Sequence, residues 1–287
     1  MSKVWLITGS ASGLGRDIAE AALEAGNQVV ATARNPAQLS SLVDRYGARV
    51  RAIRLDVTNA AEGKAAVQAA VDAFGRLDVL VNNAGYGDLR PFEQTPEEDV
   101  RRQIETCLYG VINLTRAALP VMREQRSGHI IQISSIGGRM AFPVNAPYYA
   151  AKWGVGGFTE GIALEVAPIG VKVTALEPGG MRTNFGKRAT AAPLEVWPEY
   201  EPSVGVTLKM LEGLWDSATG DPGKVAQVVL KVAGAEKLPP HILLGSDSLE
   251  MVRGAEHARA EATARWEAVS KSIDVAADGP IPDLPTN

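Results

Sequence analysis

Val4-Trp5-Leu6-Ile7-Thr8-Gly9-Ser10-Ala11-Ser12-Gly13-Leu14-Gly15 passes from an unbroken apolar run into a glycine-rich turn, and helical spacing begins directly after it with Ile18, Ala22 and Ala25. A buried strand, a turn and a helix are the reading of that pattern. Glycines at such a turn let the chain reverse tightly and let a pyrophosphate approach the backbone. The helix that opens there offers unpaired N–H groups and a positive dipole end. A glycine-rich turn with no ligand has the same composition. Its position between a strand and a helix favours the dinucleotide reading, which makes Gly9, Ser12, Gly13, Leu14 and Gly15 candidate cofactor-binding residues.

The rest of the chain repeats the strand–helix unit. Short β-branched runs recur at Lys3–Thr8, Gln28–Ala33, Val50–Leu55, Val79–Asn82, His129–Ser134, Val171–Glu177 and His241–Leu244. They are nearly continuous in apolar character, as parallel strands buried on both faces must be. Alanine-rich helical segments separate them, one marked by Ala66, Val67, Ala70, Val71 and Phe74. The alternation predicts an α/β fold, a single doubly wound (Rossmann-like) domain with a seven-stranded parallel sheet. That domain is expected over residues 1–250, with a C-terminal helix and a flexible tail over 251–287. The tail Gly279-Pro280-Ile281-Pro282-Asp283-Leu284-Pro285 can sustain neither a helix nor a central strand.

Composition narrows the function. The 287 residues are 46% hydrophobic and 22% charged, which excludes a disordered or collagen-like chain. A net charge of −4 provides no basic field for nucleic acid or anionic lipid. No apolar run reaches the roughly 20 residues of a membrane helix, and the first apolar run is too short for a secretory signal. The three histidines stand singly, so no metal site is expected. One cysteine, Cys107, forbids an intrachain disulfide and makes a reducing, cytoplasmic setting the expectation. Glycine is in excess, at 29 residues.

Thr8-Gly9-xxx-Gly13-x-Gly15, Asn82-Asn83-Ala84-Gly85, Ser135, Tyr148-xxx-Lys152 and Pro178-Gly179 follow one another in an order that resembles the short-chain dehydrogenase/reductase family. The resemblance covers residues 3 to about 250. Each motif alone is weak, whereas five in sequence order are specific. It implies an oxidoreductase that moves a hydride between NAD(P)(H) and a carbonyl or hydroxyl carbon, with Ser135, Tyr148 and Lys152 as catalytic residues.

Tyr148 and Lys152 are four residues apart on a predicted helix and so share a face. A tyrosine ionises near pH 10, which leaves about 0.1% phenolate at pH 7. A cation about 4 Å away, at an effective dielectric near 20, is worth about 4 kcal/mol before desolvation opposes it. That would ready Tyr148 as a general acid/base. Tyr149 lacks the partner, because Trp153 stands four residues on. By resemblance, Ser135 would hydrogen-bond the substrate oxygen. Ser134, its neighbour, points to the other face of the strand by period-two alternation.

The resemblance also calls for an asparagine where Cys107 stands, thought to hold a water that links the lysine to solvent. A thiol bonds water poorly, so the relay is altered or rerouted. Asn113 lies six residues on, about 240° around a helix, and cannot stand in for it.

At the end of the second strand Ala33 occupies the place of the carboxylate that binds an unphosphorylated ribose, and Arg34 follows. A guanidinium suits a 2′-phosphate, so NADP is expected over NAD. Ser12 adds no second basic residue, and Arg34 as a solvated loop cation is the alternative. By resemblance Asp56 would meet the adenine, Asn83 with Ala84 and Gly85 would hold the central sheet, and Pro178, Gly179 and Thr183 would lie at the nicotinamide.

Residues 184–221 are expected to form a substrate lid. They carry Phe185, Leu194, Val196, Trp197, Tyr200, Val204, Leu208, Met210, Leu211, Leu214 and Trp215. Such a lid fits a small lipophilic ketone or alcohol, or else packs on its own core. The helix after Tyr148 holds Gly154, Gly156, Gly157 and Gly161, each costing about 1 kcal/mol against alanine. Close packing would explain them, and by resemblance this helix builds a homodimer or homotetramer interface. The alternative to catalysis is a cofactor-binding regulator of the same fold with little turnover, motivated by Cys107.

Overall fold

Alternation along the strands sorts their side chains into two layers. Trp5 and Ile7 face one side of the sheet and Val4 and Leu6 the other, all four buried. The computed structural model describes residues 2–189, 195–216, 218–275 and 279–285. Strands β1 (Val4–Ile7), β2 (Gln28–Ala33), β3 (Val50–Arg54), β4 (Val79–Asn82), β5 (Gly128–Ile133), β6 (Val171–Pro178) and β7 (His241–Leu244) form one sheet in the order β3-β2-β1-β4-β5-β6-β7. Every pairing is parallel. This is the doubly wound, Rossmann-like domain the alternation predicts, with strand ends displaced by one residue at most.

Eleven helices complete the described residues: α1 (Gly13–Glu24), α2 (Ser40–Tyr46), α3 (Ala60–Phe74), α4 (Glu97–Ile104), α5 (Gly110–Gln125), α6 (Ala146–Val166), α7 (Phe185–Ala189), α8 (Val206–Asp216), α9 (Pro222–Gly234), α10 (Ser246–Arg265) and α11 (Glu267–Lys271). Ile18 and Ala22 of α1 and Val225 and Val229 of α9 pack on the Trp5 face. Ala66, Val67 and Ala70 of α3 and Leu114 and Ala118 of α5 pack on the opposite face. Asn59 starts α3 by accepting from the N–H groups of Ala61 and Glu62, a side-chain cap. Strand order reverses between β1 and β4. A crevice at the carboxyl ends of these strands is where such folds bind ligands.

A buried polar tie locks the two strands beyond that point. Asn82 Nδ2 donates to Gln132 Oε1 at 2.8 Å and to Thr115 Oγ1 at 3.3 Å, joining β4, β5 and α5. The segment expected as a lid is largely helical, through α7 and α8. Pro193 and Leu194 lie outside the described residues, as do the side chains of Leu214 and Trp215. Val204, with Val196, Tyr200, Leu208 and Leu211, packs on Leu89 and Val144, so much of the apolar lid set forms a small core of its own. Helix α10 begins at Ser246 and the short α11 follows it, and residues 279–285 adopt neither helix nor strand.

Candidate active site

The glycine turn is shaped by close packing. Gly9 adopts φ +68°, a region that L side chains rarely occupy, and a Cβ there would sit 3.2 Å from Ala84 Cα. A Cβ on Gly15 would collide with Asn83 Nδ2 and with the Gly9 carbonyl. Thr8 fastens the turn to the end of β4: its Oγ1 accepts from the N–H groups of Asn83 and Ala84, both at 2.9 Å. Asn83 Nδ2 in turn donates to the Thr8 carbonyl at 2.9 Å. The resemblance gave Asn83 the task of holding the sheet. Its side chain joins the end of β4 to the end of β1 at the glycine turn, and Asn82 adds a second tie from β4 to β5.

Ser12 precedes α1 in an extended conformation without capping it, and the first turn of α1 carries no acidic residue. The positive end of α1 is therefore left uncompensated by the chain itself, which fits an anionic group. Arg34 is exposed just past β2, near enough to Asp56 to help hold its carboxyl below the usual range. The larger influence on Asp56 is the Thr58 hydroxyl, which donates to Oδ1 at 2.7 Å.

Ser135 follows β5 and opens a tight turn, its Oγ accepting from Gly137 N–H at 3.0 Å. The same hydroxyl holds the pKa of the nearby Tyr148 phenol down. Ser134 points away and is buried, its Oγ without a partner among the described residues. Gly137 and Gly138 permit this proximity. A Cβ on Gly137 would press on the Tyr148 ring at 3.1 Å, and one on Gly138 would meet the Lys152 carbonyl at 2.9 Å. Gly137 and Gly138, which follow Ser135 after Ile136, thus form the bearing surface for α6, a role not evident from the sequence.

Tyr148 and Lys152 are both buried on α6. Lys152 Nζ lies 5.5 Å from the centroid of the Tyr148 ring and donates to the Ile133 carbonyl at 2.8 Å. Burial pushes the Tyr148 hydroxyl above its ordinary range, opposed by the bond from Ser135. Burial lowers Lys152. The expected lowering of the tyrosine by the lysine is absent from this arrangement: desolvation raises the phenol, and the group opposing the rise is Ser135. Tyr148 N–H donates to the Asn145 carbonyl at 2.9 Å, and Asn145 itself is left-handed at φ +58°. Buried Gln103 pins Asn145 through a 2.9 Å bond to Oδ1. Asn145 and Gln103 were not found from sequence. An asparagine before Ala146-Pro147 at a helix start was the available clue.

Cys107 occupies a π-helical turn, Glu105–Tyr109, between α4 and α5, and is fully buried. Its Sγ donates to the Tyr86 carbonyl at 3.4 Å, and burial raises the thiol. A Cβ on Gly85 would touch both Cys107 Sγ at 3.5 Å and Lys152 Nζ at 4.0 Å, so thiol and ammonium face one another across that glycine. Asn113 looks elsewhere, donating to the Val57 carbonyl at 3.1 Å.

Beyond β6, Gly179 N–H donates to the Leu244 carbonyl at 3.2 Å, and Gly180 N–H to Asp247 Oδ2 at 3.0 Å. This anchors the segment from Pro178 to the start of α10. Thr183 Oγ1 accepts from Phe185 N–H at 3.2 Å. Phe185 lays its ring 5.9 Å from that of Tyr148, covering the phenol from the lid side.

Comparison with known proteins agrees with this geometry. The family profile "short chain dehydrogenase" matches residues 3–193. The chain is 42% identical over 271 residues to "Oxidoreductase BOA17" of Botryotinia fuckeliana, covering 94% of this chain and 98% of that one. A short-chain dehydrogenase from Streptomyces avermitilis superposes with a TM-score of 0.86 at 39% identity, covering 96% of this chain and 100% of that one. A short chain dehydrogenase/reductase from Burkholderia phymatum, solved in complex with NAD, superposes with a TM-score of 0.77 at 25% identity, covering 100% and 98%. With the glycine turn, the Tyr148–Lys152 face and the seven-stranded sheet in place, the chain belongs to the short-chain dehydrogenase/reductase family of oxidoreductases.

Proposed function

We propose that the protein is an NADP-preferring oxidoreductase acting between the ketone and alcohol forms of a small lipophilic substrate. The observation that carries the reading is the convergence of Ser135, Tyr148 and Lys152 at the carboxyl end of the sheet. A nicotinamide cofactor supplies or takes up the hydride when bound. The chain's own residues attend to the oxygen. Tyr148 Oη exchanges the proton with it as general acid or base, and Ser135 Oγ hydrogen-bonds the same atom. Lys152, whose ammonium lies 5.5 Å from the centroid of the Tyr148 ring, would favour the ionised form of Tyr148 and would hold the ribose.

Gly9, Ser12, Gly13, Leu14 and Gly15 would receive the pyrophosphate, and Arg34 the 2′-phosphate. Asp56 would meet the adenine, with Asn83, Ala84 and Gly85 at the cofactor's middle and Pro178, Gly179 and Thr183 at the nicotinamide. The preference for NADP rests on Arg34 following Ala33 with no carboxylate at that place. The lipophilic substrate rests on Phe185 over Tyr148. A homodimer or homotetramer working in the cytoplasm completes the proposal.

A panel of ketones and alcohols assayed with NADPH and NADH tests it. Tyr148→Phe is expected to reduce kcat by about 10²- to 10⁴-fold with cofactor affinity retained. Full activity in that variant would refute the mechanism. Tight NADPH binding with no turnover on any substrate would favour the regulator reading, which the buried Cys107 beside Lys152 motivates.

A further inference from the structure

Arg188 on α7 reaches back across the glycine turn, 176 residues away in sequence. Its Nη1 lies 3.5 Å from Ser12 Oγ. A Cβ placed on Gly13 would find Nη2 at 3.9 Å and no other atom within 4 Å. Nε is anchored on the Asn184 carbonyl at 3.2 Å, which aims the guanidinium at the turn. Among the described residues no carboxylate pairs with Arg188.

The placement is electrostatically odd as it stands. A cation beside the positive end of α1 is repelled by it, and neither Ser12 nor an acidic residue caps that end. An anion between the two makes both contacts favourable. The guanidinium fork, with two N–H edges facing the turn, matches phosphate oxygens. Sequence reading found no basic residue within the turn at Ser12. The lid brings one there in space.

We infer that Arg188 is a cofactor-phosphate clamp, a binding residue that closes the glycine turn from the lid side. This rests on the nicotinamide-cofactor reading above. The clamp has a second consequence, because Phe185 stands three residues earlier on the same short helix and covers Tyr148. One helix therefore touches the phosphate turn and the catalytic tyrosine, and Arg188 positions the lid as well as the cofactor.

Equilibrium titration of NADPH and NADH into wild type, Arg188→Ala and Arg188→Lys tests the clamp, with thermal unfolding of each as control. Arg188 is exposed, so the variants are expected to unfold as wild type does. Arg188→Ala should raise Kd by about 10- to 100-fold, the worth of a hydrogen bond to a charged group. Arg188→Lys should recover part of that loss. Equal weakening of both cofactors assigns the clamp to the pyrophosphate, and weakening of NADPH alone assigns it to the 2′-phosphate. Unchanged Kd for both, in a protein whose wild type binds them, overturns the clamp alone. A wild type that binds neither overturns the nicotinamide reading and the clamp with it.

Discussion

Cys107 stands where the resemblance calls for an asparagine, and its surroundings say what that exchange costs. The thiol is fully buried, and burial keeps it protonated. Its hydrogen bond to the Tyr86 carbonyl is a weak thiol bond. A neutral, weakly bonded side chain contributes packing and little else, and Lys152 is held by the Ile133 carbonyl rather than by the thiol. Cys107→Ser is accordingly expected to leave kcat within about threefold of wild type, since only a weak bond is exchanged. Steady-state kinetics over a range of pH are the check. A loss beyond tenfold would make the thiol itself a participant. Cys107→Asn in the same assay reports on the missing amide: faster turnover would mark the relay as limiting.

The residues that sequence reading located are those with a local pattern. Gly9 and Gly15 sit in a dense motif, and Tyr148 and Lys152 share a helical face. Residues placed by tertiary contact leave no such trace. Arg188 reaches Ser12 only because α7 folds over the turn. Gln103 meets Asn145 only because α4 packs on α6. The motif specifies the neighbourhood of Asn82 and Asn83 and not how they share the bonds: Asn83 ties the ends of β4 and β1, and Asn82 ties β4 to β5 and α5.

Among elements, the strands were the most legible, since burial on both faces writes a continuous apolar run. The lid was the least legible, because α7 and α8 are held by contacts to Leu89 and Val144 rather than by their own periodicity. The edge strand β7, paired on one side only, shows how a side-chain cluster secures such an element. His241 Nδ1 bonds Glu177 Oε1 at 2.7 Å, and Nε2 bonds Glu160 Oε1 at 2.9 Å, joining β7 to β6 and α6. Arg139 reaches Glu177 as well, at 3.4 Å, and pairs with Glu256 of α10. The bond to Glu177 is the largest cause holding His241 above its ordinary value of 6.5, against desolvation.

A histidine whose folded pKa is raised contributes stability that is fully present below the unfolded value. That stability is lost as pH rises through the folded value. His241→Gln should therefore destabilise the protein most at acidic pH, by about 1–2 kcal/mol below pH 6, where a charge-assisted bond is lost. The deficit should narrow above pH 7. Urea denaturation of both proteins from pH 5.5 to 9 measures it, and a deficit that grows with pH would contradict the assignment.

At the scale of the whole molecule, the glycines of α6 divide into two groups. A Cβ on Gly154 would meet Leu108 at 3.0 Å and one on Gly156 would meet His241 at 3.4 Å, so both serve packing within the chain. Gly157 and Gly161 are exposed and a Cβ on either would meet nothing within 4 Å, so close packing inside the chain does not account for them. They are flanked by exposed apolar residues at helical spacing. Trp153 is 44% exposed and Leu164 80%, and residues 153, 157, 161 and 164 fall on one face of the helix. Small residues between large apolar ones let a second helix approach closely, which is what the proposed subunit interface requires.

Gly157→Glu separates the two cases by the sign of its effect. In an isolated chain the substitution meets open space and replaces the poorest ordinary helix former. It should then stabilise the fold by about 0.5–1 kcal/mol. In an interface the same carboxylate is buried against a partner without a counter-charge, and the assembly should dissociate. Light scattering after size exclusion is expected to show wild type as a dimer or tetramer and Gly157→Glu as a smaller species. A wild type that elutes as a clean monomer, with Gly157→Glu more stable than it, would refute the interface and leave the exposed stripe on α6 without a partner.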